Sequence, residues 1–477
     1  MRIRIWMAFL AVAIAAETGF TQAPANIEIK VVWEHLTNNP NGIPGFPFMT
    51  THVGNKQESD GTSDMDLIGS LRRYDENRLM LFVVENGINE SDPNHDAAMA
   101  AQFPDRTVWW INPNDGSPMG IAITFPVKPW PDTDEYIKRI NDAYGDHGSV
   151  RPDLAQEEFP KIDVDAEGNL YLSDKHHLLR YTPDGKGGFT GPTLAYNYQP
   201  ANESKVITPD GREGNYLHWR GFNMIDLQIK GEGANKIMTT TRRHWADNGG
   251  LWYYTSADGG AAWTAKYYNG QGTSLTGIGG GGSLPVISPD GKEEWMFCTG
   301  FPGSSDVIRR YVRPAGSTEQ FAEDTEALWS PGVDENPAVG ETEKYRGQTK
   351  VDVAAHDGLP YIVVATIPFW QSRDKLELDP PPTAWLAVLS TGVDPNNDFV
   401  EGDFLTAHRI QFTEKDELGG ADYVDNWAAA YSSEVNIYVG QNYPAYAFEI
   451  LWCGGTMGYG RYVVGNVPTP VPDWPLY

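Results

Sequence analysis

Residues 221–268 read GFNMIDLQIKGEGANKIMTTTRRHWADNGGLWYYTSADGGAAWTAKYY. Two hairpins lie end to end in this stretch. Apolar and β-branched residues around Leu227 and Ile229 lead into the turn GEGAN, and Ile237 and Met238 lead out of it. Leu251 to Tyr254 then enter SADGG, and Trp263 to Tyr268 leave it. Alternation over runs this short, broken by Gly-rich turns, specifies antiparallel strands rather than helices. Four such strands make one small sheet, which cannot bury both of its own faces and needs neighbours.

The neighbours are legible on both sides. Inner hairpins of the same kind begin at Met65, Phe159, Gly282, Lys350 and Asn426. Outer hairpins follow from Val108, Leu178, Val307, Trp385 and Phe448. The glycines of the outer turns, Gly116, Gly185, Gly259, Gly316, Gly392 and Gly455, recur about every 68 residues by their numbers in the chain. This spacing predicts an all-β chain of six four-stranded units, with seven as the alternative. Serial units of this size are expected to stack radially as the blades of a β-propeller. The strand IEIKVVWEHL from Ile27 precedes the first unit. It is expected to pair with the last sheet, close the ring and remove an exposed edge. The six units occupy residues 24–466, and 467–477 form a Pro-rich tail. Helices are expected only in inserted segments, chiefly 132–144, where Asp132 and Glu135 form a capping box.

Composition agrees and excludes several classes. The chain has 477 residues, of which 50 are Gly and 34 Pro, well above average usage of roughly 12% for the two together. Lys and Arg number 36 against 64 Asp and Glu, a net charge of −28, which repels phosphate backbones and argues against nucleic acid as partner. Two cysteines, Cys298 and Cys453, are too few for a disulfide scaffold. Residues 1–23, with Arg2 and Arg4 ahead of the apolar run from Met7 to Ala16, have the pattern of a secretory signal. No other stretch is long and apolar enough to span a bilayer. The expected address is therefore secreted, periplasmic or at the cell surface.

Within the opening stretch, Ser256-Ala257-Asp258-Gly259-Gly260-Ala261-Ala262-Trp263 resembles the Asp box, S-x-D-x-G-x-x-W, of sialidase-like (BNR) propellers. The resemblance implies a structural turn. Asp258 accepts bonds from turn amides, Gly260 relaxes the backbone and Trp263 fills the space behind the hairpin. The second unit, KIDVDAEGNLYLSDKHHLLRYTPDG, is similar to blades of NHL and SMP-30-like propellers. Sialidases typically carry Arg-Ile-Pro in the first blade, and this chain lacks it.

Chemistry is expected where inner strands begin and second strands end. Those positions hold Asp64, Asp66, Glu85, Lys161, Asp174, His176 and His177 in the first two units. In the third and fifth units they hold His218, Arg220, Arg242, Arg243, His244, Arg346 and Lys350, with Trp219 and Trp245 alongside. Asp422 and Asp425 come from the sixth. Arg forks grip carboxylates and Trp faces stack on sugars. His176, His177, His218, Trp219, Arg220, Arg242, Arg243, His244, Arg346 and Lys350 are therefore the candidate ligand-binding residues. The expected partner is an extracellular glycan, an acidic one above all, or a protein. Pairing of these cations with Asp64, Asp422 and Asp425 is the competing explanation. A sialidase-like or lactonase-like hydrolase, or a polysaccharide lyase, is the catalytic alternative, with Tyr345 beside Arg346 or His244 with Asp247 as reacting groups. Asp394, Asn396 and Asp398 form a loop of oxygen ligands that suits Ca2+, although Asx-Pro turns explain the same residues. The acids Asp163, Asp165, Glu167 and Asp174 mimic a calcium-loop spacing, but in a strand–turn–strand they read as a polar hairpin.

Overall fold

The computed structural model describes residues 27–36, 67–84, 106–125, 161–173, 177–197, 223–243, 250–267, 281–282, 284–288, 291–299, 308–317, 321–329, 350–354, 362–367, 383–390, 404–411, 434–438, 447–453 and 456–464. Strand β1 (Ile27–Leu36) comes first in the chain but joins the last sheet. The first sheet contains β2 (Leu67–Asp75), β3 (Arg78–Val84), β4 (Arg106–Ile111) and β5 (Pro118–Phe125). The second contains β6 (Lys161–Val164), β7 (Leu170–Ser173), β8 (His177–Pro183) and β9 (Phe189–Asn197). The third contains β10 (Asn223–Lys230), β11 (Lys236–Arg243), β12 (Gly250–Ser256) and β13 (Thr264–Tyr267).

In the fourth sheet the inner position is split. Both β14 (Gly281–Gly282) and β15 (Val286–Ile287) pair with β16 (Glu293–Thr299), followed by β17 (Ile308–Pro314) and β18 (Ala322–Trp329). The fifth contains β19 (Lys350–Ala354), β20 (Ile362–Ile367), β21 (Thr383–Ser390) and β22 (Phe404–Gln411). The sixth contains β23 (Glu434–Tyr438), β24 (Ala447–Cys453) and β25 (Thr456–Val464), with β1 as its outer strand. Among the described residues the protein is thus all-β, in six sheets of antiparallel strands.

Adjacent sheets touch through their inner strands. Strand β2 meets β6, β6 meets β10, β10 meets β14, β14 meets β19, β19 meets β23, and β23 meets β2. The cycle closes, so every sheet has a neighbour on each face. This explains the burial gradient within the second sheet. All of β7 is buried, β6 nearly so, whereas most of β9 is half-buried or exposed. Strands covered on both faces read as continuous apolar runs, and outer strands alternate. Tyr171, Leu178 and Tyr196 of the second sheet pack on Leu227, Ile229, Met238, Tyr254 and Trp263 of the third. Burial of such side chains contributes about 1.5–3 kcal/mol each.

The repeat glycines carry a physical signature. Gly116, Gly185, Gly259 and Gly316 have φ of 73°, 72°, 75° and 72°. Four outer turns therefore use one left-handed conformation at the same step, which a side chain would strain. Gly392 lies outside the described residues. Gly455 lies between β24 and β25, which are the second and third strands of their sheet, not the third and fourth. The sequence reading expected NWAAAY and EVNIY as the inner hairpin of the last unit. NWAAAY lies outside the described residues, and EVNIY is β23, at the inner end of the described sheet. The phase moves by one strand because β1 supplies the fourth.

Strand β1 does pair with β25, from Ile27 opposite Val464 to Leu36 opposite Thr456. It also grips the first sheet. Trp33 Nε1 donates to the Pro113 carbonyl at 3.0 Å, and His35 Nε2 lies 2.9 Å from the Asp115 carbonyl oxygen. A methyl on Gly116 would collide with both rings. The signal-like segment 1–23, the tail 467–477 and the expected helix at 132–144 lie outside the described residues.

Candidate functional site

Strand register divides the candidate residues between two edges. Each inner strand begins beside the end of its second strand: Lys161 opposite Ser173, Asn223 opposite Arg243, and Lys350 opposite Thr366. The third strand starts on that same edge, where His177 pairs with Asn197. Lys161, His177, Arg242, Arg243 and Lys350 thus occupy one kind of edge in three sheets. His176, His218, Trp219, Arg220, His244 and Arg346 lie outside the described residues. They belong to the connections 174–176, 198–222, 244–249 and 330–349, all of which join strand ends at this edge. The same holds for Asp64, Asp66, Glu85, Asp174, Trp245, Asp247, Tyr345, Asp422 and Asp425.

Two of the described residues are not at the surface. Lys161 and His177 are both fully buried. Their neighbours form a polar node just below the edge. Arg72 on β2 has no exposure, and its Nε donates to Asp163 Oδ1 at 3.0 Å. Its Nη2 donates to the Leu227 carbonyl on β10 at 3.0 Å. The other carboxylate oxygen of Asp163 accepts the Ile229 amide at 2.5 Å. One guanidinium therefore links three inner strands. Ser70 Oγ accepts the Ile162 amide at 3.2 Å and adds a second tie between the first two sheets. Sequence reasoning passed over Arg72, because a charged residue in a strand reads as solvated unless its partner on another sheet is known.

The opposite edge carries the tight turns, and there the acids of the second unit find protein partners. Asp165 Oδ1 accepts the Asn169 amide at 2.9 Å and the Glu167 amide at 3.1 Å. Tyr171 Oη donates to Asp165 Oδ2 at 3.0 Å. Lys236 Nζ, reaching from the third sheet, lies 3.1 Å from Asp165 Oδ2 and also bonds Glu167. Gly233 N donates to Glu167 Oε1 at 2.6 Å. The Lys236 hydrogen bond holds the Glu167 carboxyl below the usual carboxylate range. Burial, with Asp165 alongside, pushes the Tyr171 phenol well above its ordinary value. The lysine ammonium satisfies charge that the acid spacing offers, as expected for a polar hairpin. Among the described residues there is no cluster of three or more metal-ligating side chains.

The segment from Ser256 to Trp263 also sits on this second edge. Ser256 Oγ donates to Asp258 Oδ1 at 2.8 Å and accepts the Gly260 amide at 2.9 Å. Asp258 Oδ1 accepts the amides of Ala261 and Ala262 at 3.0 and 2.9 Å. The Ala262 amide, then the Ser256 hydroxyl, draw the Asp258 carboxyl below its ordinary pKa. Trp263 is buried, with Tyr171 of the second sheet edge-on to it at 6.2 Å. Asp394, Asn396 and Asp398 lie outside the described residues, in the connection between β21 and β22. That connection joins the edge opposite the basic positions.

No protein-family model matches the chain, and no curated protein does either. Several solved structures resemble it at low identity. An α-L-arabinofuranosidase from Fusarium graminearum, solved with an iminosugar inhibitor, is 10% identical, covers 86% of this chain and 95% of its own, and has a TM-score of 0.41. An α-L-arabinanase from Penicillium chrysogenum, complexed with arabinobiose, is 8% identical over 84% and 93%, with a TM-score of 0.41. An endo-arabinanase from Bacillus licheniformis is 11% identical over 67% and 96%, with a TM-score of 0.35.

Proposed function

We propose that the six sheets are the blades of a six-bladed β-propeller closed by β1, and that the protein is exported and binds an extracellular anionic glycan. The binding face is the one on which the inner strands begin. A single observation carries this reading: every candidate cation and its neighbouring Trp belongs to that edge, either at a strand end or in a connection that joins it. The chain as a whole has a net charge of −28. Asp64, Asp66, Glu85, Asp174, Asp247, Asp422 and Asp425 belong to connections on the same edge, so recognition of carboxylated sugars would rest on individual Arg forks rather than on a basic field. Arg242, Arg243, Arg220 and Arg346 supply forks for carboxylates, and Trp219 and Trp245 supply stacking faces. The turns on the far edge, including Ser256, Asp258, Gly260 and Trp263, serve the fold.

The test is a glycan array with purified protein, with and without Ca2+, followed by titration calorimetry with oligogalacturonate at two salt concentrations. Binding that weakens with salt, and weakens at least tenfold in the Arg242→Ala/Arg243→Ala double variant, supports the reading. Absence of glycan binding in both conditions overturns it and directs attention to a protein partner. Shortening of the oligosaccharide during the titration would assign the catalytic alternative, a hydrolase or lyase acting on the same face.

A further inference from the structure

We infer that Arg72 is the positioning residue of the binding face, a cross-ring tie that sets the spacing between the strand starts of the second and third sheets. The inference rests on the glycan-binding reading for its functional half. Its structural half stands on the contacts alone.

Arg72 belongs to the first sheet, yet its guanidinium bonds the second sheet through Asp163 and the third through the Leu227 carbonyl. In a ring of sheets the first and third are not neighbours. A side chain that reaches from one to the other crosses the space in front of the second, on the axis side. Its bonds fix three strands at a single level. Asp163 returns the favour to β10 by accepting the Ile229 amide. Planar, bidentate geometry is what a guanidinium supplies and an ammonium does not.

The level of this node relates directly to the candidate residues. Lys161 precedes Asp163 by two positions on β6, which puts both on one face of the strand. Thr240 is the register partner of Leu227, and Arg242 follows Thr240 by two on β11. The position of Arg242 therefore stands one pleat above the level of the Leu227 carbonyl that Arg72 holds, while Lys161, one pleat above Asp163, is itself buried. Arg72 has no exposure, so it does not touch a ligand. It lies below the edge and holds in place the inner strand whose hairpin partner carries Arg242. Without it, Asp163 would lose the guanidinium that it bonds while still accepting the Ile229 amide.

The experiment uses full-length protein and two readouts. Native-state hydrogen exchange follows the Ile229 amide, and calorimetry follows oligogalacturonate at low and moderate salt. Arg72→Met is expected to speed exchange at Ile229 at least tenfold, and to weaken glycan binding at least tenfold with a shallower salt dependence. Arg72→Lys is expected to restore part of the affinity. Should Arg72→Met fail to fold, Arg72→Lys and Asp163→Asn provide the same comparison from milder changes. Unchanged exchange at Ile229 overturns the tie, whatever the protein binds. Faster exchange with glycan affinity within twofold of the parent overturns the positioning role. If the parent protein binds no glycan while Arg72→Met still speeds exchange at Ile229, the tie stands and the functional proposal alone falls.

Discussion

The boundary between the first and second sheets and the boundary between the second and third both pack aromatic rings, as Tyr196 on Tyr254 shows for the latter, but they differ at their turns. At the former, rings meet rings. Trp110 stacks on Phe189 at 6.2 Å, Tyr74 approaches Phe189 edge-on at 6.0 Å, and Phe125 tilts against Tyr181 at 5.1 Å. Arg78 caps this group, 4.4 Å above the Trp110 ring. At the turns of the latter, Lys236 is clamped between Asp165 and Glu167, and Tyr171 closes the cluster. Aromatic packing carries most of its free energy in buried area and is indifferent to pH. A clamped ammonium depends on the charge of its partners. The second boundary thus adds an ionic clamp to packing that both share, and solution conditions should separate the two contributions.

The largest effects come from removing the centre of each boundary. Trp110→Ala should cost about 3–5 kcal/mol in urea unfolding, by the range for deleting a large buried aromatic side chain. Lys236→Met should cost about 3–5 kcal/mol at neutral pH, because it leaves a buried carboxylate with its ammonium partner removed. Only the second loss should shrink on acidification, as Glu167 takes up a proton. Equal penalties for Lys236→Met at pH 7 and at pH 3.5 would show that its clamp works by packing rather than charge.

A smaller effect is expected at Gly260, which has φ of +83° and faces Tyr171 Oη across the same boundary. Gly260→Ala should cost about 1–3 kcal/mol from backbone strain and should also displace the Tyr171 ring. A melting temperature equal to that of the parent would mean that the two sheets are not in the close contact described. Asp258→Ala removes the acceptor for two turn amides and should cost about 1 kcal/mol, the scale of a lost capping side chain. It should leave glycan binding unchanged, since this turn lies on the edge opposite the basic positions.

The smallest effect is the pH dependence of Glu167→Gln. Lys236 depresses the folded-state pKa of Glu167. Its contribution to stability is therefore present above the unfolded pKa, near 4.5, and is lost as pH falls through the folded value. The side chain is 42% exposed, so solvent screening keeps the gain small. The parent should lose melting temperature faster than Glu167→Gln between pH 5 and about 3. Parallel curves for the two proteins would remove Glu167 from the clamp.

What the sequence disclosed follows from which interactions are local. Hairpins were legible because alternation and turn chemistry both act within ten residues or so. The outer-turn glycines were readable as a repeat because the same left-handed step recurs at Gly116, Gly185, Gly259 and Gly316. The phase of the last sheet was not, since β1 and β25 meet from opposite ends of the chain, and Gly455 was assigned to the wrong turn. The Arg72–Asp163 pair was hidden for the same reason. Nothing near either residue announces a partner on another sheet. Strand order puts Lys161 and His177 at a strand end, but their burial depends on neighbours that no local pattern encodes.

The pairing of Ile27 with Val464 also imposes an order of events. Local hairpins can form in microseconds, as soon as their turns are complete. Strand β1 has no partner until β25 has been made, although it comes first. Through synthesis it waits as an unpaired strand, and ring closure is the contact of greatest sequence separation, hence the step expected to be slowest. A chain stopped before Thr456 would keep five sheets capable of forming and one raw edge on β24. The sheet that joins β1 to β25 is thus the clock of assembly, and partial chains should be recognisable by aggregation through that edge.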